Sequence, residues 1–282
     1  MARNEPIMRP ALKRVLLPVA ALLSLALAAP PAAAADPGQE QALAEVYRGW
    51  AFDTCDAPSV ATMSAWRSSD YGAVGIYFGG RGRHCQKQPN LDRSWVRSVD
   101  GQGWGLLPLY VGSQSPCVHA KNKQDVRITG DPATRGATEG RDAVGRAQQL
   151  GIQPRSPLYL DMEGYDIKNK ACADKTLAFV RAWNREVRSQ GYLPGFYSSA
   201  DSGVTHMQQA QRAGVGDLPE VMWFARWNTP PNLYGEPALD QGAWFPHRRI
   251  HQYRGNSKEA YGGHTLTVDR NLMEAPVARV VV

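Results

Sequence analysis

Two kinds of apolar pattern alternate along the chain. Short and nearly continuous apolar runs are typical of buried strands, whereas apolar residues three and four positions apart are typical of helices. The first pattern predicts strands at residues 49–55, 73–80, 106–112, 156–165, 193–199, 221–228, 249–254 and 265–272. The second pattern predicts helices at residues 59–66, 89–99, 140–150, 171–190 and 204–213.

This alternation favours an α/β domain built from parallel βαβ units. The number of predicted strands and the chain length fit a single closed (β/α)8 barrel of the TIM type. Between Trp227 and Arg249 the sequence is rich in Pro and Gly and has no helical stripe. We therefore expect a loop at the sixth crossover and a barrel that is somewhat irregular around strands six to eight.

The amino terminus has the features of an export signal. Arg9, Lys13 and Arg14 precede an apolar run from Val15 to Ala29, and an alanine tract that ends at Ala35 follows. This order predicts a secretory signal at residues 1–35, a short leader at 36–45 and the barrel at 46–282. The run is shorter than the roughly 20 residues that span a bilayer. We expect a monomer that is secreted or cell-wall associated, with no stable membrane insertion after cleavage.

Cysteine usage agrees with export. The chain has four cysteines, Cys55, Cys85, Cys117 and Cys172, and an even number in an exported protein favours two disulfides. Three pairings are possible, of which we favour Cys55–Cys85 with Cys117–Cys172. No C-x-x-C or H-E-x-x-H spacing is present, so we predict no metal site and no cofactor. The formal net charge is +6 without a basic run interleaved with aromatics, so we predict no nucleic-acid site.

The most informative segment is SPLYLDMEGY, residues 156–165. Asp161 and Glu163 are two positions apart at the end of a predicted strand, so their side chains share one face. Adjacent carboxyl groups push each other's pKa values apart, which suits one of them for proton donation. Glu163 is the candidate general acid, and Asp161 would orient the substrate or stabilise positive charge on it. The alternative is a solvated strand end or an ion pair.

Other predicted strand ends carry similar chemistry. Reactive groups of such barrels stand at the carboxyl ends of the strands. Asp53 and Asp269 are candidate catalytic residues that activate water or fix the substrate, or else they bridge neighbouring strands. Carboxylates, aromatic faces and amides together suit a sugar ring. The candidate substrate-binding residues are Tyr77, Tyr110, Tyr197, Arg226, Trp227 and Gln252.

The order of motifs FDTC, IYFGG, YLDMEGY, GFYSS, WFARW, HQY and VDRN resembles the secreted glycoside-hydrolase-like barrels of actinobacteria, long described as a domain of unknown function. More distantly it is similar to the family 25 glycoside hydrolases, lysozymes that cut peptidoglycan. This resemblance implies that Asp53, Asp161, Glu163 and Asp269 occupy four acidic positions, with Glu163 at the general acid. Arg226 and the four cysteines depart from the lysozyme pattern.

Together these observations predict a secreted glycoside hydrolase that acts on a cell-wall or extracellular polysaccharide by carboxylate acid/base catalysis. Its partner would be that polysaccharide, peptidoglycan or another wall glycan. One alternative is a non-catalytic glycan-binding barrel associated with the cell wall. A second alternative is a wall-associated structural or interaction protein.

Overall fold

Eight strands close into one barrel in the computed structural model, which describes Met1 and residues 44–281. The strands are β1 (Val46–Asp53), β2 (Tyr71–Gly79), β3 (Gly105–Tyr110), β4 (Pro157–Asp161), β5 (Leu193–Ser199), β6 (Val221–Ala225), β7 (Arg249–Tyr261) and β8 (His264–Pro276). Their order around the barrel follows the order along the chain. The predicted (β/α)8 architecture is confirmed, while the predicted signal at 1–35 and most of the leader lie outside the described residues.

The strands connect through helices in the first part of the chain. The helices are α1 (Val60–Trp66), α2 (Arg93–Gly101), α3 (Pro132–Gln149), α4 (Lys170–Ser189) and α5 (Thr205–Arg212). A 3-10 helix (Lys121–Val126) precedes α3, and a π-helical segment (Ala200–Val204) leads into α5. Side chains cap several amino termini; Asn169, for example, accepts a hydrogen bond from the Cys172 amide at the start of α4. Within residues 44–281, none of the helices has the length and apolar composition needed to cross a bilayer.

Successive side chains of each strand point alternately to the barrel axis and to the helices. The axial face is filled by a compact apolar cluster that includes Ala51, Leu107, Tyr159, Trp223 and Ile250. The opposite face packs on the helices in a second, larger cluster. Because the axial core is solid, open space for a ligand remains only where the axial positions become polar, near the carboxyl ends of the strands.

The last strand differs from the prediction. β1 to β7 are parallel neighbours, but β8 runs antiparallel to both β7 and β1. The expectation of parallel pairing throughout was therefore wrong at β8. The reason is the turn between β7 and β8, where Gly262 and Gly263 take φ values of 56° and 82°. Two consecutive residues with positive φ form the tight hairpin turn that reverses the chain.

The predicted loop between β6 and β7 is confirmed, because no helix occurs between Ala225 and Arg249. Arg249 organises this loop from the start of β7. Its buried guanidinium donates to the backbone oxygens of Ala243 and Leu233, at 2.8 and 3.0 Å. A buried cation thus satisfies carbonyl groups that a helix would otherwise have paired internally.

Both favoured disulfides form in the structure. Cys55 pairs with Cys85, and Cys117 pairs with Cys172. The first joins the loop after β1 to the loop after β2. The second joins the loop after β3 to the start of α4. Both bonds therefore tie together loops on the carboxyl side of the barrel.

Candidate active site

A pocket of about 820 Å³ opens at the carboxyl ends of the strands. Its size is typical of a site for a small ligand or for part of a larger one. It is lined by seven of the ten residues predicted to form the site: Asp53, Tyr77, Asp161, Glu163, Tyr197, Trp227 and Asp269. Residues that are far apart in the sequence thus meet around one cavity.

Asp53 ends β1 at the floor of this pocket and is 1% exposed. Its carboxylate accepts three side-chain hydrogen bonds. Tyr77 Oη donates to Oδ1 at 2.8 Å, while Gln252 Nε2 and Asn271 Nδ2 donate to Oδ2 at 3.0 and 2.8 Å. Trp223 Nε1 in turn donates to Asn271 Oδ1 at 2.8 Å, which fixes the orientation of that amide.

The protonation of Asp53 is finely balanced. Burial is the main cause that raises its pKa, and the charge of Asp269 raises it further. The bonds from Asn271, Gln252 and Tyr77 act in the opposite direction because they stabilise the charged form. Together these influences raise the pKa of Asp53 from its ordinary 3.8 to about 7. At neutral pH Asp53 is therefore present in both its protonated and its ionised form.

Asp161 ends β4 and is 3% exposed. Its Oδ1 has no hydrogen-bond partner among the described residues. Burial is the main cause that raises the pKa of Asp161, followed by the charge of Glu163, whereas Lys123 lowers it. Burial of an oxygen without a hydrogen-bond partner favours the neutral form of a carboxyl group, which agrees with the raised pKa of Asp161.

Glu163 lies two residues beyond Asp161, and its side chain is 35% exposed in the pocket. Its backbone is held in place by Gln114. Gln114 Oε1 accepts a hydrogen bond from the backbone amide of Glu163 at 2.8 Å, and Gln114 Nε2 donates to the backbone carbonyl oxygen of Asp161 at 2.9 Å. Lys123 Nζ is 3.8 Å from Glu163 Oε1. The segment that carries both acids is thus clamped by one buried amide.

Gln252 connects the acids to the aromatic wall. It is fully buried beneath the pocket, and its Oε1 accepts from Tyr197 Oη at 2.9 Å and from Trp227 Nε1 at 2.8 Å. The Trp227 indole is 44% exposed and rests on Gly255, where any side chain would collide with the ring. Trp227 is therefore a large aromatic face held in place from behind and open to the pocket.

Asp269 lies opposite Asp53 in the antiparallel pairing of β8 with β1. Its Oδ1 accepts from the Asn256 amide at 2.6 Å. Burial raises the pKa of Asp269, and the Asn256 bond lowers it. β8 runs antiparallel to β1, but Asp269 still lies at the mouth of the pocket because it is paired with Asp53, the last residue of β1.

No set of three or more His, Cys, Asp or Glu side chains within residues 44–281 is arranged to hold a metal ion. The acids of the pocket lie beside hydrogen-bond donors, beside Lys123 and beside one another. Such a set can exchange protons and stabilise charge in a bound molecule.

A protein-family model described as the Rv2525c-like, glycoside hydrolase-like domain matches residues 64–273. The chain belongs to the Rv2525c-like family. This confirms the family predicted from the order of motifs. Comparison with curated protein sequences finds no match.

Several solved structures are similar to this Rv2525c-like chain, and the first two below share its fold. An uncharacterized protein of B. stearothermophilus is 19% identical, with 79% of this chain and 95% of that chain covered and a TM-score of 0.51. The Tat-secreted protein Rv2525c of Mycobacterium tuberculosis, in complex with L-tartrate, is 18% identical, with 80% and 96% covered and a TM-score of 0.51. The modular autolysin LytC of Streptococcus pneumoniae is 14% identical, with 80% and 46% covered and a TM-score of 0.49.

Three predicted site residues of this Rv2525c-like domain do not line the main pocket, namely Tyr110, Arg226 and Gln252. Tyr110 faces α3, where its hydroxyl donates to Asp142 Oδ2 at 2.7 Å. On β3 the axial positions are Leu107 and Leu109, so Tyr110 has the opposite parity and its placement in the mouth was wrong. Gln252, the third residue absent from the pocket lining, acts from directly beneath it.

Arg226 follows β6 and lines a smaller cavity of about 380 Å³, which shares Glu163 and Trp227 with the main pocket. Its guanidinium donates to both carboxylate oxygens of the buried Glu236, each at 2.7 Å, and to both oxygens of Asp201. Two acids thus occupy its donors, so Arg226 supports the rim of the site.

The sequence interpretation missed three residues that support the acids, namely Gln114, Lys123 and Asn271. Asn271 could have been found, because its spacing of two from Asp269 puts both side chains on one face of β8. Gln114 comes from the loop after β3, and Lys123 comes from the short 3-10 helix that follows it. No periodic pattern marks such residues, and only the folded loop brings them beside Glu163.

Proposed function

We propose that this protein is a secreted glycoside hydrolase that cuts a cell-wall or extracellular polysaccharide by carboxylate acid/base catalysis. The observation that carries the proposal is the meeting of Asp53, Asp161, Glu163 and Asp269 around one pocket beside the exposed face of Trp227. Glycosidases use paired carboxylic acids on either side of the scissile bond. An aromatic face next to such acids suits the apolar face of a sugar ring.

We assign proton donation to Glu163 because its carboxyl group is accessible in the pocket, whereas that of Asp161 is buried. The backbone clamp by Gln114 gives this group a defined position, which efficient proton transfer requires. Asp161 lies beside Glu163 in the lining of the pocket, and in its ionised form it would stabilise positive charge as an oxocarbenium-like sugar develops.

We assign the activation of water, or the fixing of the sugar ring, to Asp53 together with Asp269. A base is most effective when its pKa lies near the working pH, and burial raises that of Asp53 to about 7. Tyr77 and Gln252 hold its two oxygens in place. The expected reaction is cleavage of the bond between the anomeric carbon and the glycosidic oxygen, with addition of water.

Export outside the cell is supported by the two disulfides, which persist in oxidising compartments. The predicted signal at residues 1–35 and the leader at 36–45 agree with it. The similar M. tuberculosis protein is Tat-secreted. The choice of peptidoglycan or another wall glycan as substrate rests on the motif order, which resembles that of the family 25 lysozymes.

A non-catalytic glycan-binding barrel is the second candidate, and one contact favours it. Lys123 Nζ lies 3.8 Å from Glu163 Oε1, and a carboxylate that serves as the partner of a lysine need not donate a proton to a substrate. A barrel that only binds would keep the aromatic wall and the network beneath it. Both candidate functions require glycan binding, but only the hydrolase would cleave the glycan.

The experiment measures release of reducing ends from peptidoglycan and from other wall glycans. We expect release by the wild type and a loss of about 10²-fold or more in Glu163→Gln, since general acid catalysis contributes at least this much. The control is Glu45→Gln, which removes an exposed carboxylate next to the start of β1, far along the barrel axis from the mouth. It should match the wild type.

The result that opposes catalysis is equally clear. If the wild type and Glu163→Gln bind a glycan with equal affinity and neither releases reducing ends from any glycan, the binding barrel is the correct function.

A further inference from the structure

Two cations stand on one wall of the main pocket. Arg83 comes from the loop after β2, and Lys123 comes from the 3-10 helix after β3. Arg83 donates from Nε to the Gly80 oxygen at 3.2 Å and from Nη1 to the Tyr77 oxygen at 3.1 Å. Lys123 Nζ donates to the Gly82 oxygen at 2.8 Å. The short turn that contains Gly80 and Gly82 therefore anchors both positive groups.

These positive charges are incompletely neutralised. Among residues 44–281, Arg83 forms no ion pair with a carboxylate, and its Nη2 donates no hydrogen bond. Burial lowers the pKa of Arg83 and the nearby Arg146 lowers it further, while the smaller effects of Tyr110 and Asp142 raise it. Lys123 is 6% exposed, and its one carboxylate partner among the described residues is Glu163, at 3.8 Å. Cations in such a position cost free energy unless an anion joins them.

A neighbouring arginine shows the contrast. Arg81, in the same loop, lies 3.7 Å from Glu139 and donates to Ser113 Oγ at 2.9 Å. Its charge therefore has a partner within the protein. Arg83 faces the pocket instead, where a ligand would be that partner. The loop thus has one arginine that supports the fold and one with unused donors beside a cavity.

The neighbouring strands carry the reverse charge. Asp53 and Asp269 lie side by side on β1 and β8, and β1 in turn pairs with β2, which leads into the loop that carries Arg83. A sugar whose ring is held near these acids would direct its substituents toward other walls of the pocket. A negative substituent is favoured beside Arg83 and Lys123, because beside Asp53 and Asp269 it would meet carboxylates.

We infer that Arg83 and Lys123 form a subsite for an anionic substituent, a carboxylate or a phosphate, on the sugar that enters this pocket. The inference deepens the proposed function and rests on it for the sugar. The planar guanidinium suits two oxygens of one anion, and the lysine adds a point charge. The substrate would then be an acidic glycan, and neutral glycans would bind more weakly.

The test uses binding, so that it does not depend on turnover. The probes are methyl β-D-glucuronide, methyl β-D-glucoside and glucose 6-phosphate, titrated into the full chain and followed by NMR. We expect the wild type to bind the glucuronide about tenfold more tightly than the glucoside, since hydrogen bonds to charged groups are strong. Tighter binding of glucose 6-phosphate than of the glucuronide would also support the subsite and identify phosphate as its anion.

Variants locate the effect. Arg83→Gln and Lys123→Met should each lose most of the preference for the acidic sugar. Arg97→Gln is the matched control, because Arg97 is exposed on α2 and does not line this pocket; it should keep the preference. If a variant fails to fold, the salt dependence of wild-type binding tests the subsite instead. Raising NaCl from about 50 mM to about 500 mM should weaken wild-type binding of the glucuronide and leave the glucoside unchanged.

Three results would overturn the inference. These are equal binding of acidic and neutral sugars, a preference that survives in both Arg83→Gln and Lys123→Met, and no detectable binding of any of the three probes. Hydrolysis of neutral and acidic glycans at equal rates would overturn the subsite and leave the proposed function standing. Binding of the glucuronide without turnover of any glycan would support the subsite and count against hydrolysis.

Discussion

The buried Asp53 makes a strong prediction about stability. Its pKa in the folded protein is raised from 3.8 to about 7, so the folded chain holds this proton more tightly than the unfolded chain. The stability from this group is therefore fully present below about pH 4 and is lost as the pH rises to about 7. Each pKa unit corresponds to about 1.4 kcal/mol. The loss through Asp53 is then on the order of 4 kcal/mol.

Asp53→Asn removes the titration and keeps the shape. The amide can still accept from Gln252 or Asn271 and can donate to Tyr77 Oη, so most of the network survives. We expect the free energy of unfolding of the wild type to fall more steeply between about pH 4 and pH 8 than that of the variant, with a difference on the order of 4 kcal/mol. Denaturant unfolding followed by tryptophan fluorescence measures both values.

The comparison between the two proteins isolates Asp53. Asp161 and Asp269 also have raised pKa values, and they remain in both. Asp56→Asn is the control, because Asp56 is exposed in the loop that follows β1. This variant should show the same pH dependence of stability as the wild type. Parallel pH dependence in the wild type and Asp53→Asn would refute the account of Asp53 as a group that burial keeps close to neutral.

Three other predictions concern single features of the site. Trp227→Ala should weaken glycan binding about tenfold, since aromatic faces carry much of the contact energy in such sites; equal affinity in a titration would show that the indole is no platform. Gln252→Leu leaves Asp53, Tyr197 and Trp227 without their shared partner, so unfolding should require about 1–3 kcal/mol less, and an unchanged denaturation midpoint would contradict this. Cys55→Ser with Cys85→Ser removes the cross-link over 30 residues and should cost about 3 kcal/mol, which a thermal melt against the wild type would detect or exclude.

Much of the barrel was predictable because parallel strands that are covered on both faces leave a plain apolar signal. β5 occurs at the residues that its pattern predicted, and α4 differs from its prediction by one residue at each end. β8 could not be assigned a direction in this way, since an apolar run has no polarity. The Gly262–Gly263 turn contained that information, and its two positive φ values are what reverse the chain.

The residues of the candidate site were likewise predictable only in part. Asp53, Asp161 and Glu163 were predictable because they stand at or just beyond the ends of β1 and β4, whereas Asp269 lies within β8. Tyr110 was misplaced because a tyrosine near a strand end suits either face, and its parity with Leu107 and Leu109 decides the matter. Lys123 and Gln114 were not predictable, since the path of an irregular loop depends on tertiary packing. The charge pattern of the pocket thus follows from the fold and not from local sequence.

The most direct test of the central claim is a crystal structure of Glu163→Gln with an oligosaccharide from peptidoglycan or another wall glycan. The account predicts sugar rings in the main pocket, one against Trp227, and a glycosidic oxygen about 2.6–3.2 Å from the carboxamide of residue 163, the distance that proton transfer requires. A glycan bound at another surface, or one whose glycosidic oxygens all lie far from residue 163, would contradict the claim that these converging acids cut a sugar chain.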